Sequence, residues 1–196
     1  MERDEFLRAA WKAMAAEQLY AGRLVFVDEM GANTSLAPIY GWSRRGERAR
    51  YSVPRNRGKS TTLLASMTLE GMGPCLAVEG STTAAIFEAY VERVLGRTLR
   101  AGQVVVMDNL SAHKSKKVRE LVEARGCKLL YLPPYSPDFN PIEEAFAKIK
   151  GLLRKAQART PRALVEAMGA ALSSVTATDA CGFFGHCGYH RTVQSL

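Results

Sequence analysis

The stretch Tyr131-Leu-Pro-Pro-Tyr-Ser-Pro-Asp-Phe-Asn-Pro-Ile-Glu-Glu-Ala-Phe146 leads from the end of a predicted strand, through a proline-rich turn, into a predicted helix. Asn140 suits the N-cap, and Pro141 suits the first helical position, where the missing N–H of proline costs nothing. Apolar residues then recur on one helical face: Ile142, Phe146, Ile149 and Leu153. Glu143 lies at the edge of that face, along the packing surface, whereas Glu144 is predicted to point to solvent.

Asn140 and Glu143 allow two interpretations. In the first they form a capping box, in which each side chain accepts a hydrogen bond from the backbone N–H of the other residue. In the second Glu143 is a functional carboxylate. Two upstream acids favour the second interpretation, because Leu-Val-Phe-Val precedes Asp28 and Val-Val-Val-Met precedes Asp108. Both apolar runs are typical of short buried strands, and each is predicted to end on its acid.

These three acids predict a metal site. A carboxylate at the end of a buried strand is costly unless something compensates its charge. If the two strands are parallel neighbours, Asp28 and Asp108 lie side by side, and either one takes a proton or a cation lies between them. Mg²⁺ prefers such oxygen ligands, and Glu143 would supply a third. Two bridged ions can activate the attacking oxygen and stabilise the leaving oxygen at a phosphodiester. Taken singly, each aspartate could instead be an ordinary turn residue at a strand end.

The rest of the chain predicts an α/β fold in which a mixed five-stranded sheet is flanked by helices. We expect a lead-in helix at 1–20, the α/β domain at 21–175 and an irregular tail at 176–196. The apolar face of the lead-in helix is formed by Phe6, Ala10, Trp11 and Met14. Further elements are predicted at 39–42 (strand), 61–70 (strand), 71–74 (turn), 74–78 (edge strand), Ser81 or Thr82 to Leu95 (helix), 115–125 (helix), 127–132 (strand) and 161–173 (helix).

Positive charge is concentrated between Ser43 and Ser60, where Glu47 is the only acid, and the whole chain carries a formal net charge of +8. Such a segment is either a solvated hairpin rim or an arm that binds nucleic-acid phosphates. We predict phosphate contacts there for Arg44, Arg45, Arg48, Arg55, Arg57 and Lys59. Lys150 and Arg154 continue the helical stripe that starts at Glu143, and they are predicted to contact DNA unless that face is simply solvated.

Cysteine usage and hydropathy bear on location and metals. The four cysteines are scattered, which indicates a reducing compartment, and no apolar run reaches the length of a membrane span, so no membrane partner is expected. Cys181, His186, Cys187 and His190 do not match a zinc-finger spacing, and adjacent ligands would strain a tetrahedral site. We therefore expect these four to be structural residues of the tail.

Three motifs together resemble the catalytic domain of DDE transposases, specifically the mariner-like insertion-sequence group. They are Val27-Asp-Glu29, Met107-Asp-Asn-Leu-Ser-Ala-His-Lys114 and Leu132-Pro-Pro-Tyr-Ser-Pro-Asp-Phe-Asn-Pro-Ile-Glu143. In that group 34 residues separate the second acid from the third, and positions 109 to 142, between Asp108 and Glu143, also make 34. The resemblance covers the chain from about Leu24 to Met168.

The resemblance implies an RNase H-like fold, with Asp28, Asp108 and Glu143 as catalytic ligands of Mg²⁺ or Mn²⁺, and we expect two ions. It implies that water attacks the DNA phosphate at the element's end, and that the freed 3′-hydroxyl then attacks target DNA. Double-stranded DNA and a second copy of the chain, in a synaptic homodimer, are the implied partners. Asn109, His113 and Lys114 match the second motif. We predict DNA contacts for His113 and Lys114, although His113 could equally assist near the site or be structural. A cytoplasmic, nucleoid-associated location in a prokaryote is expected.

Such transposases normally carry an N-terminal helix-turn-helix region, for which this chain has no room, so we expect an upstream-encoded helix-turn-helix subunit or a truncation. Two other functions are open. A stand-alone nuclease of the same fold, such as a resolvase, is disfavoured by the 34-residue spacing and the proline-rich motif. A catalytically idle DNA-binding remnant, or a regulator of transposition, is disfavoured by the intact acids.

Overall fold

A computed structural model describes residues 3–55, 58–110 and 113–190. Its sheet has the strand order β3-β2-β1-β4-β5. The strands are β1 (Leu24–Ala32), β2 (Thr61–Thr68), β3 (Gly71–Glu79), β4 (Val104–Met107) and β5 (Lys128–Tyr131). β2 is antiparallel to both β1 and β3, whereas β4 is parallel to β1 and β5. The predicted mixed five-stranded sheet is confirmed.

Helices cover both faces of this sheet. They are α1 (Glu5–Gln18), α2 (Ala84–Arg93), α3 (Lys116–Glu123), α4 (Pro141–Ala156), α5 (Pro161–Ser173) and α6 (Ala177–His186). Five of these six helices begin at a side chain that accepts a backbone N–H of the first turn. The capping residues are Asp4, Thr83, Ser115, Thr160 and Thr176. Thr83 therefore takes the cap that was predicted at Ser81 or Thr82.

Alternation along β1 divides the interior into two cores. Leu24, Phe26 and Met30 face one core, which they share with α1, α4, α5 and α6. Val25 and Val27 face the other core, which they share with α2 and α3. Side chains two residues apart lie on the same face of a strand, so Asp28 belongs to the face that α4 covers. This arrangement brings the first acid and the helix that carries the third to the same side of the sheet.

The segment between β1 and β2 corrects one prediction, because residues 39–42 form no strand. Ile39, Tyr40 and Trp42 are at least 65% exposed. Without apolar burial or a pairing edge, local β propensity is not enough to form a strand. The predicted turn at 71–74 is also wrong, because β3 already begins at Gly71, whose φ of 118° closes the turn after β2.

The predicted irregular tail is wrong over Ala177–His186, which is α6. Glycines at 182 and 185 weaken the helical pattern in the sequence. Two contacts outweigh that weakness. Thr176 and Asp179 form a capping box at its start, and Phe184 is fully buried with its ring edge-to-face on Phe26 at 5.3 Å. Tertiary packing thus makes the tail part of the first core.

The lead-in helix packs through part of the predicted face. Trp11 is buried and Met14 packs against the first core, as expected, but Phe6 is 81% exposed and Ala10 is exposed. Arg8, which was not predicted to pack, is also buried. Its guanidinium lies over the ring of Phe139, which joins the helix to the proline-rich stretch. Among the described residues, none of the helices is both long and apolar enough to cross a membrane.

Candidate active site

The register of β1 and β4 places the two aspartates beside each other. Val27 pairs with Met107 at the last parallel position, and Asp28 and Asp108 each follow directly. The prediction that Asp28 ends its strand is wrong, because β1 continues to Ala32 by pairing with β2 alone. The parallel pairing on which the metal-site prediction depends is present, and a cavity lies where that pairing ends.

That cavity, of about 330 Å³, brings the three acids together. Asp28 and Asp108 line it from the sheet, and Glu143 lines it from the first turn of α4. Asp28 is 5% exposed, whereas Glu143 is exposed. The rest of the wall is the proline-rich stretch and the start of the β4–α3 connection: Asn109, Leu110, Leu132, Pro133, Pro134, Tyr135, Ser136, Pro137 and Asn140. The motifs singled out in the sequence therefore form one cavity.

Burial and the two neighbouring acids change the pKa of Asp28. Burial, with smaller contributions from the neighbouring charges of Asp108 and Glu143, raises the pKa of its carboxyl to about 7, although the hydrogen bond from the N–H of Glu29 lowers it. Asp28 is thus a carboxylate that gains from a nearby cation. All three side chains offer oxygen atoms, the ligands of hard divalent ions, so the donor set fits Mg²⁺ or Mn²⁺. Within the described ranges, no three His, Cys, Asp or Glu side chains are already arranged to hold a metal ion.

Asn140 does not cap α4 with its side chain, so the capping-box interpretation of the sequence is wrong. Its amide Nδ2 instead donates to Oδ2 of Asp28 at 2.7 Å. The other carboxylate oxygen, Oδ1, accepts the backbone N–H of Glu29 at 2.7 Å. Asn140 Oδ1 is buried and has no hydrogen-bond partner in the described part of the chain. Sequence analysis missed this contact, because nothing local signals a partner 112 positions away.

His113 contacts Asp108, the second of the three acids. Its Nδ1 pairs with Oδ1 of Asp108, and its ring stacks on Phe87 at 4.1 Å between centroids. Its carbonyl accepts the hydroxyl of Tyr131 at 3.0 Å. The side chain is fully buried, so it cannot reach DNA in this structure, and the predicted DNA contact of His113 is wrong. The alternative of a residue that assists near the site is the one its position fits.

The short turn before α4, Pro137–Phe139, is held by α1 and by Tyr189, which follows α6. Arg8 of α1 donates two hydrogen bonds to the carboxylate of Asp138, at 2.9 and 2.6 Å, and its guanidinium lies 4.3 Å from the ring centroid of Phe139. The hydroxyl of Tyr189 donates to the carbonyl of Phe139 at 2.8 Å and accepts Trp11 Nε1 at 3.0 Å. Neither contact had a signal in the sequence.

Glu144 is also placed differently from the prediction. It is partly buried, and its Oε1 lies 2.5 Å from His186 Nδ1 on α6. Cys187 lies against the same carboxylate, with its thiol 3.9 Å from Oε1, and burial raises the pKa of that thiol to about 12. Two of the four tail residues, His186 and Cys187, therefore contact α4, whereas the thiol of Cys181 lies 4.0 Å from the carbonyl of Leu69.

The predicted DNA contacts lie mostly on the surface. Those between β1 and β2 are exposed: Arg44, Arg45, Arg48, Arg55 and Lys59. Arg57 lies outside the described residues. Lys59 has an ion pair with Glu79 at 2.6 Å. Lys114 is exposed, and Lys150 and Arg154 on α4 are partly exposed. Their contacts with phosphates stay predictions.

Fold and site define an RNase H-like catalytic domain with three converging carboxylates. The chain belongs to the DDE superfamily endonuclease family, whose sequence model matches residues 23–165. A solved Mos1 transposase paired-end complex with the left transposon end has a TM-score of 0.77 at 18% identity, over 95% of this chain and 60% of that one. The catalytic domain of Mos1 mariner transposase has a TM-score of 0.64 at 15% identity, over 93% and 85%. The resemblance to the mariner group is confirmed.

Two curated relatives come from nematodes. The Tc1 transposase of Caenorhabditis elegans is 26% identical over 164 residues, which are 76% of this chain and 59% of the relative. The Tcb2 transposase of Caenorhabditis briggsae is 24% identical over 172 residues, 80% and 62% respectively. The chain thus spans about three fifths of the length of these relatives. They give no support to the prokaryotic origin expected from the sequence.

Proposed function

We propose that this chain is the catalytic part of a transposase, which cuts DNA at the ends of a mobile element and joins the freed 3′ ends to target DNA. The observation that carries the proposal is the single cavity lined by Asp28, Asp108 and Glu143, in which burial and the two neighbouring charges raise the pKa of Asp28. We assign these three residues as ligands of two Mg²⁺ or Mn²⁺ ions. Solved Mos1 paired-end complexes include one with Mn and one with Mg.

The chemistry consists of two substitutions at phosphorus. In the first, water bonds to phosphorus and the 3′ oxygen leaves with a proton. In the second, that 3′-hydroxyl bonds to a target phosphorus, loses its proton, and displaces the 3′ oxygen of the target strand. Divalent ions, when bound, supply activation of the attacking oxygen and stabilisation of the leaving oxygen. The three carboxylates would hold those ions, while His113 contacts and orients Asp108.

Double-stranded DNA, both element ends and target, is the proposed substrate. The exposed basic segment between β1 and β2 and the partly exposed Lys150 and Arg154 support this, because such contacts position a duplex without reading its sequence. A helix-turn-helix subunit that reads the element ends is part of the proposal, as the resemblance to the transposase family implies. The paired-end form of the Mos1 complex supports a homodimer at synapsis. We propose that the protein acts in the compartment that contains chromosomal DNA.

The test is cleavage of a labelled duplex that carries the genomic ends of the element, with Mg²⁺ or Mn²⁺. The variants are Asp108→Asn and Glu143→Gln, and the matched control is Glu144→Gln, which changes the adjacent acid that does not line the cavity. We expect both site variants to cut at least about 100-fold more slowly, since even loss of a ligand's supporting partner costs 10–100-fold. Glu144→Gln should cut at nearly the wild-type rate, and all three should retain salt-sensitive DNA binding.

Two results would exclude the proposal in different ways. Equal cutting by Asp108→Asn and the wild-type chain would remove the acids from catalysis. DNA binding without cutting by the wild-type chain, with either ion and with a helix-turn-helix partner present, would favour the idle DNA-binding remnant instead.

A further inference from the structure

Asn140 stands at the N-cap of α4, and its side chain does something other than capping. Asparagine is among the best N-cap residues because its side-chain oxygen can accept a free backbone N–H of the first turn. Here no such bond forms. The amide nitrogen points to Asp28 Oδ2 instead, at 2.7 Å, and the residue is 3% exposed. A buried amide that gives up its local bond for a distant carboxylate has a role at that carboxylate.

The hydrogen bond of Asn140 completes the fixation of Asp28. The N–H of Glu29 holds Oδ1 and the amide of Asn140 holds Oδ2, so both oxygens of the carboxylate have a donor. Rotation of the carboxylate plane would break at least one of these bonds. A metal ligand with a fixed plane presents its remaining lone pairs in one direction, which lowers the reorganisation needed for binding.

The backbone of Asn140 is fixed as well. Its N–H donates to the carbonyl of Pro137 at 3.0 Å, and its carbonyl accepts the N–H of Glu143 at 3.0 Å. Arg8 and Tyr189 hold the two residues just before it. The amide therefore approaches Asp28 from a rigid support rather than from a mobile loop.

We propose that Asn140 is a positioning residue that orients the carboxylate of Asp28 for a divalent cation, and that this role, not helix capping, is its function at the start of α4. The inference rests on the proposed function, because it requires Asp28 to be a ligand. It adds a fourth residue to the site, one that couples the first turn of α4 to the central strand of the sheet.

Serine separates the two roles. Asn140→Ser places an equally good N-cap residue at the start of α4, but its hydroxyl is too short to reach Asp28 from the same backbone position. Asn140→Ala removes both possibilities. Thr160→Ala is the matched control, because Thr160 does cap its helix, α5, with a bond from Ala163 N–H at 3.2 Å. Binding of Mn²⁺ alone to the full 196-residue chain is followed by the electron paramagnetic resonance signal of the free ion, and stability by thermal unfolding.

We expect Asn140→Ser and Asn140→Ala to raise the Kd for Mn²⁺ by about 10–100-fold. Asn140→Ser should melt near the wild-type temperature. Thr160→Ala should melt at a lower temperature and bind Mn²⁺ as the wild-type chain does. Wild-type affinity in Asn140→Ser would overturn the inference, because a cap would then suffice.

Failure of the proposed function has a different signature. If the wild-type chain binds no Mn²⁺, or if Asp28→Asn binds it undiminished, the assignment of Asp28 as a ligand is wrong. If the wild-type chain binds Mn²⁺, Asp28→Asn binds it more weakly, and Asn140→Ser binds it as tightly as the wild-type chain, then only the positioning role of Asn140 is wrong.

Discussion

Replacement of Arg8 by methionine is expected to destabilise the protein out of proportion to a surface ion pair. The side chain of Arg8 is 3% exposed, and its guanidinium donates two hydrogen bonds to Asp138 and lies over the ring of Phe139. A hydrogen bond to a charged group contributes about 1.5–3 kcal/mol when buried. Half of the Asp138 side chain is exposed, so solvent screening reduces the two bonds to the low end of that range.

Adding about 0.5 kcal/mol for the cation over the ring gives a loss of about 2 kcal/mol, or about 4–8 °C in Tm for a chain of this size. Urea unfolding at neutral pH measures the free energy of unfolding. The matched control is Arg162→Met, which breaks an exposed pair with Glu166 on α5 and should cost at most about 0.5 kcal/mol.

The pH dependence of the same variant has a defined sign. The hydrogen bond from Arg8 lowers the pKa of Asp138 below its usual value. The stabilisation is therefore complete above the unfolded pKa of about 3.9 and is lost as the pH falls through the lower folded pKa. The difference in free energy of unfolding between the wild-type chain and Arg8→Met should be constant from pH 7 to 5 and should become smaller below about pH 4.

A double-mutant cycle with Asp138→Asn decides the matter. We expect a coupling energy of about 1–2 kcal/mol between the two residues at pH 7. A coupling below about 0.3 kcal/mol would mean that the pair behaves as a screened surface contact, and would refute the reasoning that α1 docks through Arg8.

Three further substitutions test other contacts. Phe184→Ala should lower the free energy of unfolding by about 3–5 kcal/mol in denaturant, because a fully buried ring leaves a cavity in the first core; a loss below about 1 kcal/mol would detach α6 from that core. Lys148→Met should weaken the pH dependence of the free energy of unfolding between about pH 4 and 2, because the hydrogen bond from Lys148 is the largest of the causes that lower the pKa of Asp179 to about 2. The stability that this bond contributes is present above the unfolded pKa of Asp179 and is lost on acidification, so an unchanged pH dependence in this range would contradict the assignment. His113→Phe should keep the stack on Phe87 but lose the bond to Asp108, which slows DNA cleavage by about 10–100-fold while circular dichroism stays native; wild-type cutting would make the histidine purely structural.

The parts of the site that the sequence predicts are those with local causes. Two apolar runs that end near acids predict buried strands, and their parallel pairing puts Asp28 beside Asp108. The proline-rich stretch predicts α4 and the side on which Glu143 lies. These predictions need only side-chain alternation in strands and a 3.6-residue period in helices, and both periods can be read from consecutive residues.

The parts that the sequence does not predict depend on distant partners. Asn140 looks like a cap because local rules assign it the nearest N–H, and the competing carboxylate comes from another strand. The glycines of α6 weaken the helical pattern in its sequence, and the helix forms because the ring of Phe184 packs on Phe26 of β1. The burial of His113 follows from the position of Phe87 on α2, which no pattern near His113 reveals.

The two ends of the described chain meet at the same turn before α4. Arg8 lies on α1, Tyr189 follows α6, and both hold residues of Pro137–Phe139. The two aspartates need no such support, because backbone register places them. Glu143 lies in the helical turn that follows directly, so its placement depends on helices outside the sheet. Arg8→Met should therefore weaken Mn²⁺ binding as well as folding, although it changes no carboxylate. Wild-type Mn²⁺ affinity in a folded Arg8→Met chain would show instead that packing of α4 on β1 alone holds the third acid in place.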